Sequence, residues 1–445
     1  MQRSLRLTVI GAGYVGLATS VGLAARGHEI DLVEIRTDRL QLLLAGRLPI
    51  HEPGMAAAYA DAGTRSRIHP MTSPAPGSDL VLICVGTPID EGGRSDLSQI
   101  ESALRSVADM AAAGTPVVIR STLPAGSADT VVKWLGGHSS LLFANPEFLR
   151  QGEAIEDFLN PTRVVIGTFP DFDPEAFALV KDVLHFGDCP LLVVGMAEAD
   201  LIKNGANAFL ALKLSFANEM ALLCEALDAD VVNVIEGIGL DQRIGRKYMQ
   251  PSFGFGGSCL PKDLHALTNV GKGFGLQMHV TAAASDANAD HQQHFADRIV
   301  GLMPASSKRV AILGLAFKAG TDDVRSSPSL NVAQILIEHG LEVVGYDPQA
   351  AALAARELPK LIVASSAESA IAGAGVVVIG TEWPEFRDLD WAALVGTMAA
   401  PIVIDGRRLL DGRRMTALGY HFETIGAPSP SKARSRRDWR NADTT

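Results

Sequence analysis

The chain has 445 residues, 47% of them hydrophobic and 20% charged, with a formal net charge of −11. Length and apolar content call for two or three domains with large cores. The acidic balance excludes the broad basic face that a nucleic-acid or membrane-surface binder needs, so neither partner is expected. Four cysteines, Cys84, Cys189, Cys224 and Cys259, show no C-x-x-C spacing. No structural metal site is expected, and so few cysteines fit a reducing cytoplasm.

Arg3 and Arg6 precede an apolar run over residues 7–25, the outline of a signal peptide. Gly11, Gly13 and Gly16 interrupt it, and strand, turn and helix explain it better. No other run approaches the roughly 18 apolar residues of a membrane span. Residues 5–10 and 29–33 read as strands around a helix that ends near Arg26. Further strands are expected over 80–85, 117–120, 141–144 and 164–167, alternating with helices. Such alternation predicts a parallel, doubly wound sheet. Residues 198–229 lack proline and carry apolar residues at helical spacing, which predicts one helix of about 30 residues, roughly 45 Å long. Helical sequence continues to about residue 300. A second α/β pattern follows, with strands at 310–314, 342–346, 376–381 and 401–405 and a helix at 330–339. The stretch from 428 to 445 is polar and basic and reads as disordered.

The turn Gly11-Ala12-Gly13-Tyr14-Val15-Gly16 joins the first strand to the first helix. The first glycine permits the tight turn, the second lets backbone approach a pyrophosphate, and the third lets helix pack on strand. Glu34 ends the second strand, where a carboxylate accepts the ribose hydroxyls and repels a 2′-phosphate, which favours NAD over NADP. Arg36 and Arg39 lie close by in sequence. The second α/β half has no such fingerprint. Its first strand runs into Gly314-Leu-Ala-Phe317-Lys318, so a similar fold without dinucleotide binding is expected there.

Residues 253–263 read Phe-Gly-Phe-Gly-Gly-Ser-Cys-Leu-Pro-Lys-Asp. Glycines before Cys259 allow close substrate approach, and Lys262 and Asp263 bring charge near the sulfur, where a cation favours the nucleophilic thiolate. Lys203 and Asn207 are four residues apart and share a helix face.

Together these segments resemble the UDP-glucose and GDP-mannose dehydrogenase superfamily. The likeness includes GAGYVGLA near the start, PIHEPGM at 49–55, VGTPIDEGG at 85–93 and RSTLPAG at 120–126. It continues through NPEFLRQGEAIEDFLNPTRVVIG at 145–167, the helix at 202–219, the cysteine segment at 239–263, LGLAFKAGTDDVRSSP at 313–328 and IDGRRLLDG at 404–412. The resemblance covers about residues 5–425. It implies an α/β fold of two Rossmann-like, doubly wound domains joined by a long central helix and a helical dimerisation domain. The boundaries that follow are 1–195 for the NAD-binding domain, 196–300 for the helical part with the cysteine loop, 301–427 for the nucleotide-sugar domain and 428–445 for the tail.

The resemblance implies an NAD-dependent enzyme that oxidises the C6 alcohol of a nucleotide sugar twice, to a uronic acid. Cys259 would attack the C6 aldehyde, and the thiohemiacetal would become a thioester that water hydrolyses. Lys203 and Asn207 would stabilise the oxyanion. Asp263 would orient water and the lysine, Glu147 would act as base, and Thr122 would hold the water. Carried-over cofactor contacts are Gly11, Ala12, Gly13, Tyr14, Val15, Gly16, Glu34, Arg39, Thr87, Thr122 and Arg325. Substrate contacts are Glu147, Phe148, Leu149, Lys203, Asn207, Arg243, Phe253, Gly256, Phe317, Lys318 and Arg407. Arg243 would reach the neighbouring subunit's substrate, which implies a homodimer with shared sites. Gln151 stands where many members have a glutamate, which puts the weight of base catalysis on Glu147.

Motifs around Arg163, Arg243, Trp383 and Arg407 lean to the UDP-glucose branch. Those around Arg120, Ala211–Glu219 and Lys318 lean to the GDP-mannose branch. The first group bears on the nucleotide site and carries more weight. GDP-mannose and TDP-glucose are the alternative substrates, and a non-catalytic nucleotide-sugar binder is the alternative of another class.

Overall fold

The computed structural model describes residues 3–90 and 94–428. The expected disorder of the basic tail from 429 onwards lies outside the described residues. The chain divides into two compact units. The first comprises residues up to Ala206 together with His265–Gln277, and the second Asn207–Leu264 together with the residues from Met278. Among the described residues, no helix is long and apolar enough to cross a membrane.

The first unit is built on β1 (Arg6–Ile10), β2 (Glu29–Val33), β3 (Ile68–Met71), β4 (Leu80–Ile83), β5 (Val117–Ile119), β6 (Leu142–Ala144), β7 (Val164–Thr168) and β8 (Leu191–Gly195). They form one sheet in the order β3-β2-β1-β4-β5-β6-β7-β8. Its central strands are short apolar runs buried on both faces, as a sheet covered by helices on each side requires. Leu7 and Val9 of β1 pack in one core with Leu17 and Val21 of α1 (Tyr14–Ala25). Ile10 joins the core of the opposite face with Val81 and Ile83.

Contrary to the expectation from sequence, the sheet is not parallel throughout: β6 and β7 pair antiparallel through Ala144 and Gly167. The helix between them, Ala154–Leu159, has six residues and spans only about 9 Å. It packs on α1, where the Phe158 ring fills the space beside Gly22, and does not carry the chain back across the sheet. Alternation of strand and helix in the sequence does not encode this direction change. The strands β3 and β8 also went unread, since β3 carries a proline and β8 is partly exposed.

The helix α2 (Met196–Leu227) runs unbroken from the first unit into the second, close to its expected limits of 198 and 229. Its pattern is inverted relative to an ordinary amphipathic helix. Small and polar residues are buried: Lys203, Asn204, Asn207, Ala211, Ala217, Asn218 and Ala221. Phe209, Phe216 and Leu223, spaced seven apart, are exposed.

The second unit contains α3 (Val231–Gly239), the start of α4 (Leu260–Gly273), α5 (His279–Leu302) and a six-stranded sheet. The strands are β9 (Arg309–Leu313), β10 (Glu342–Tyr346), β11 (Ile362–Val363), β12 (Val376–Ile379), β13 (Ile402–Asp405) and β14 (His421–Thr424), all parallel, in the order β11-β10-β9-β12-β13-β14. The edge strands β11 and β14 were not expected. They are short, and β14 lies beside a stretch that reads as a turn-rich end of chain.

The glycine-rich segment before Cys259 is held by side chains on two helices. Asn218 of α2 accepts the Ser252 N–H at 2.8 Å. Asn288 of α5 makes a two-way clamp on Phe255, accepting its N–H at 2.9 Å and donating to its carbonyl at 3.1 Å. His291, a turn further along α5, donates from Nε2 to the Ser252 carbonyl at 2.8 Å. Burial pushes the His291 imidazole down to about 4 from its ordinary 6.5.

An added Cβ at Gly16 lies 1.8 Å from the Gly11 carbonyl oxygen, a backbone atom that cannot step aside. Gly16→Ala therefore lowers stability by about 1–3 kcal/mol, read from the urea midpoint. His291 makes stability depend on pH, because the unfolded chain protonates it near 6.5 and the folded chain near 4. Its contribution is intact above pH 6.5 and falls as pH drops toward 4. Between pH 7.5 and 5 the native protein loses about 2 kcal/mol more than His291→Gln does, since a tenfold difference in proton affinity between the two states corresponds to about 1.4 kcal/mol. Urea unfolding of both proteins at the two pH values checks this.

Candidate active site

In the first unit, the functional residues expected from sequence sit at the carboxyl ends of the strands. The turn from β1 to α1 has Gly11 at φ +99°, and a Cβ there would lie 2.7 Å from the Cys84 carbonyl oxygen. Gly13 immediately precedes the helix, with no side-chain cap on the first N–H groups. A Cβ at Gly13 would meet no protein atom within 4 Å, so backbone there is open to close approach by a phosphate. The residues fit a dinucleotide in this respect.

Glu34 lies one residue past β2. Its Oε1 accepts the Arg36 N–H at 2.8 Å, and its Oε2 is 3.4 Å from the Arg39 guanidinium. Arg39 also donates to the Ala12 carbonyl. That arginine is engaged across the glycine turn. Thr87 follows β4 and Thr122 follows β5. Their two loops are tied together by Ser121, whose Oγ donates to the Val85 carbonyl at 2.7 Å.

The loop after β6 carries Glu147 to Lys203 of α2. Lys203 Nζ donates to Glu147 Oε1 at 3.1 Å, with both side chains buried. The other carboxylate oxygen accepts the Leu149 N–H at 2.7 Å. Phe148 lies beside the pair: its ring is 5.5 Å from the Lys203 ammonium and 3.7 Å from the Arg163 guanidinium. Asn204, next to Lys203, donates to the Leu123 carbonyl at 2.9 Å, fixing α2 to the loop that bears Thr122.

In the second unit, Asn207 of α2 donates to Asp263 Oδ2 at 2.6 Å, and Asp263 is completely buried. Lys262 lies 2.7 Å from Oδ1 as an ion pair; neighbours on a helix do not face one another, so it lacks hydrogen-bond direction. Cys259 immediately precedes α4, and its carbonyl accepts the Asp263 N–H at 2.9 Å. Its side chain is exposed, in contrast to buried Cys84 and Cys224, and none of the four cysteines is in a disulfide. The sulfur thus stands at the amino end of a 14-residue helix, where negative charge is favoured.

The glycines before Cys259 are needed for packing. A Cβ on Gly256 would lie 2.0 Å from the Ser326 carbonyl oxygen, and one on Gly257 would lie 2.8 Å from the Phe317 ring. The Gly257 N–H donates to the Arg325 carbonyl at 3.0 Å. Phe253 is fully buried, stacked on Phe295 with centroids 4.7 Å apart, and the Arg407 guanidinium lies 5.2 Å from its ring. Arg407 donates to the carbonyls of Gly380 and Phe317 at 2.9 and 3.0 Å. Arg325 is folded onto Asp323. Arg243 stands apart: its side chain is 89% exposed and paired with Asp241. Among the described residues, no group of three His, Cys, Asp or Glu side chains could hold a metal ion.

The second sheet also shows why it lacks the first one's dinucleotide turn. Asp347 follows β10, as Glu34 follows β2. Its Oδ2 accepts the N–H groups of Leu315 and Ala316 at 2.8 and 3.0 Å, and the Trp383 indole N–H at 3.0 Å. The protein's own carboxylate occupies the amides of the turn after β9, where a pyrophosphate would otherwise bind. Sequence reading missed this residue, together with Arg120 and Asn145. The last two lie inside quoted motifs, but no residue-level feature marked them.

Three family models match in chain order. The UDP-glucose/GDP-mannose dehydrogenase family's NAD binding domain covers residues 5–183, its central domain 197–290 and its UDP binding domain 311–412. The UDP-glucose 6-dehydrogenase of Rhizobium meliloti is 36% identical over 95% of this chain and 100% of its own length. That of Bacillus subtilis is 34% identical over 95% and 94%. The solved structure of a UDP-glucose dehydrogenase from the archaeon Pyrobaculum islandicum shares 34% identity, covers 96% of this chain and 98% of its own, and superposes with a TM-score of 0.83. With the Rossmann-like fold of both units and the glycine turn that fits a dinucleotide, these matches establish that the chain belongs to the UDP-glucose/GDP-mannose dehydrogenase family and is an NAD-dependent oxidoreductase.

Proposed function

We propose that this protein is a UDP-glucose 6-dehydrogenase that converts its substrate to UDP-glucuronate through covalent intermediates on Cys259. The observation that carries the reading is an exposed thiol at a helix amino end in the unit that also holds the buried, hydrogen-bonded pair Asn207–Asp263. The relatives named above act on UDP-glucose and align over nearly the whole chain. GDP-mannose and TDP-glucose are the competing substrates.

Gly11, Ala12, Gly13, Tyr14, Val15 and Gly16 hold the dinucleotide's phosphates, with Glu34, Arg39, Thr87, Thr122 and Arg325 completing its contacts. When bound, NAD supplies the acceptor for hydride leaving C6. Arg407, Lys318, Phe317, Phe253, Gly256, Phe148 and Leu149 bind the nucleotide sugar. Cys259 adds to the C6 aldehyde, which turns a poor hydride donor into an alcohol-like one. Lys203 and Asn207 donate to the oxygen that gains charge. Asp263 holds Asn207 in place. Glu147 takes a proton from the water that opens the thioester, with Thr122 orienting that water, and Gln151 cannot share this task.

The working boundaries are 1–195, 196–300 and 301–427 for the NAD-binding, helical and nucleotide-sugar parts. Only four cysteines in so long a chain, without C-x-x-C spacing, suit a cytoplasmic setting. We infer further that the protein works as a homodimer. Phe209, Phe216 and Leu223 form an exposed apolar line on α2 at seven-residue spacing, and Leu240 and Ile244 add to the exposed apolar surface of the same unit. Arg243, unengaged with the site of its own chain, serves the partner's substrate.

With UDP-glucose the enzyme forms two NADH per sugar, and a panel of UDP, TDP and GDP sugars shows the uridine substrate turning over fastest. Cys259→Ala abolishes uronate formation; retained steady-state oxidation to the acid sinks the covalent reading. Lys203→Ala lowers kcat by about 10²–10³. Phe216→Asp halves the mass seen by light scattering, and a native protein that is already monomeric at micromolar concentration removes the dimer.

A further inference from the structure

The last rung between β5 and β6 is unusual in its chemistry. Ile119 pairs with Ala144 in register, and the Asn145 N–H extends the ladder to the Ile119 carbonyl at 2.8 Å. Arg120 and Asn145 therefore stand side by side where the two chains part, one toward Thr122 and the other toward Glu147. Their side chains close that gap. Arg120 donates from Nη1 to Asn145 Oδ1, and Asn145 Nδ2 donates to the Val165 carbonyl at 2.7 Å. Three strands are tied by one side-chain chain.

A neutral donor would serve for that tie. The residue present is a guanidinium that is only 6% exposed, with a buried Nε that has no hydrogen-bond partner. Burying such a cation without a carboxylate in contact is costly, so a purely structural role explains the tie but not the charge. Glu147 is the carboxylate within electrostatic reach of Arg120. Charged and titratable groups near Glu147 in this unit include Lys203 from α2, Arg120 from the end of β5, Cys84 from the end of β4, and Arg163 against the ring of the adjacent Phe148. Burial pushes the Cys84 thiol up to about 11, so it adds no charge.

We propose that Arg120 is a positioning residue for thioester hydrolysis, setting the place of Glu147 through Asn145. This deepens the covalent reading given above and rests on it. In the step concerned, the water oxygen bonds to the acyl carbon and one water proton passes to Glu147. The C–S bond then breaks, and its electron pair returns to the Cys259 sulfur. The hydride transfers precede this step.

The experiment mixes enzyme with UDP-glucose and NAD, quenches in acid and reads the intact-protein mass for the acyl adduct on Cys259. Native enzyme, Glu147→Gln, Arg120→Met and Arg120→Lys are compared. Glu147→Gln and Arg120→Met accumulate the adduct, with hydrolysis slowed by about 100-fold. Arg120→Lys keeps the charge, loses the fork, and slows hydrolysis about tenfold. Hydrolysis at the native rate in Arg120→Met, or in Arg120→Lys should the methionine variant not fold, overturns the proposal. So does loss of turnover without adduct in the arginine variants while Glu147→Gln accumulates it. If neither the native enzyme during turnover nor any of the variants carries an adduct on Cys259, the covalent reading itself falls, and this proposal with it.

Discussion

A buried ammonium is tolerated only beside a group that accepts its charge, and Lys203 has that group in Glu147. The pair decides much of what surrounds it. Breaking such a pair by removing one partner leaves an uncompensated charge in the interior, typically at a cost of about 3–5 kcal/mol. The loop after β6 must therefore deliver Glu147 to α2, and α2 must turn its polar line inward to receive it. Both happen. Asn204 fixes the helix to the loop of Thr122, and the Leu149 amide fixes the second oxygen of Glu147. Four residues after Lys203, Asn207 repeats the arrangement in the second unit with fully buried Asp263. The helix spends its inward face on these polar groups and on alanines, and its large apolar side chains face out.

The two sheets share a plan but differ at one atom-level feature. Each has a short strand, a glycine at positive φ, and an acidic residue after the next strand. In the first sheet Glu34 accepts Arg36 N–H and pairs with Arg39. In the second, Asp347 reaches back to the turn and takes two of its amides. Gly314 combines a φ of +96° with tight packing, since a Cβ there would lie 2.4 Å from the Thr381 amide nitrogen.

Most of the strands were legible because they are short, wholly apolar and bounded by turn residues. Val376–Ile379 and Leu80–Ile83 are four buried residues each, and no other structure suits them. The glycine turn was legible because each glycine answers a separate steric demand. The direction of β7 was not, since periodicity carries no sign and only the length of the intervening helix reveals the reversal. The inward face of α2 was not legible either. Apolar spacing marks a helix but does not say which face is buried when polar residues form the site. Asp347, Arg120 and Asn145 were missed for a related reason. Their roles lie in what they touch across strands, and neighbours in sequence do not reveal that.

The cysteine loop shows how the remaining residues acquire their function. A nucleophile needs exposure, yet its backbone must not drift. Here the demands are separated along a few residues. Gly256 and Gly257 leave no room for side chains against Ser326 and Phe317, while Asn218, Asn288 and His291 hold Ser252 and Phe255 by their backbone groups. Only after this anchored stretch does the chain reach the exposed sulfur and enter α4. His291 must remain neutral for the arrangement to be tolerated, and burial ensures that it does. The same logic applies in the first unit, where the Arg120–Asn145 tie fixes the strand ends before the chain parts toward Thr122 and Glu147. In both units, side chains bind backbone or one another just upstream of the residues proposed to act. The acting residues can then be exposed or charged without loosening the fold that aims them.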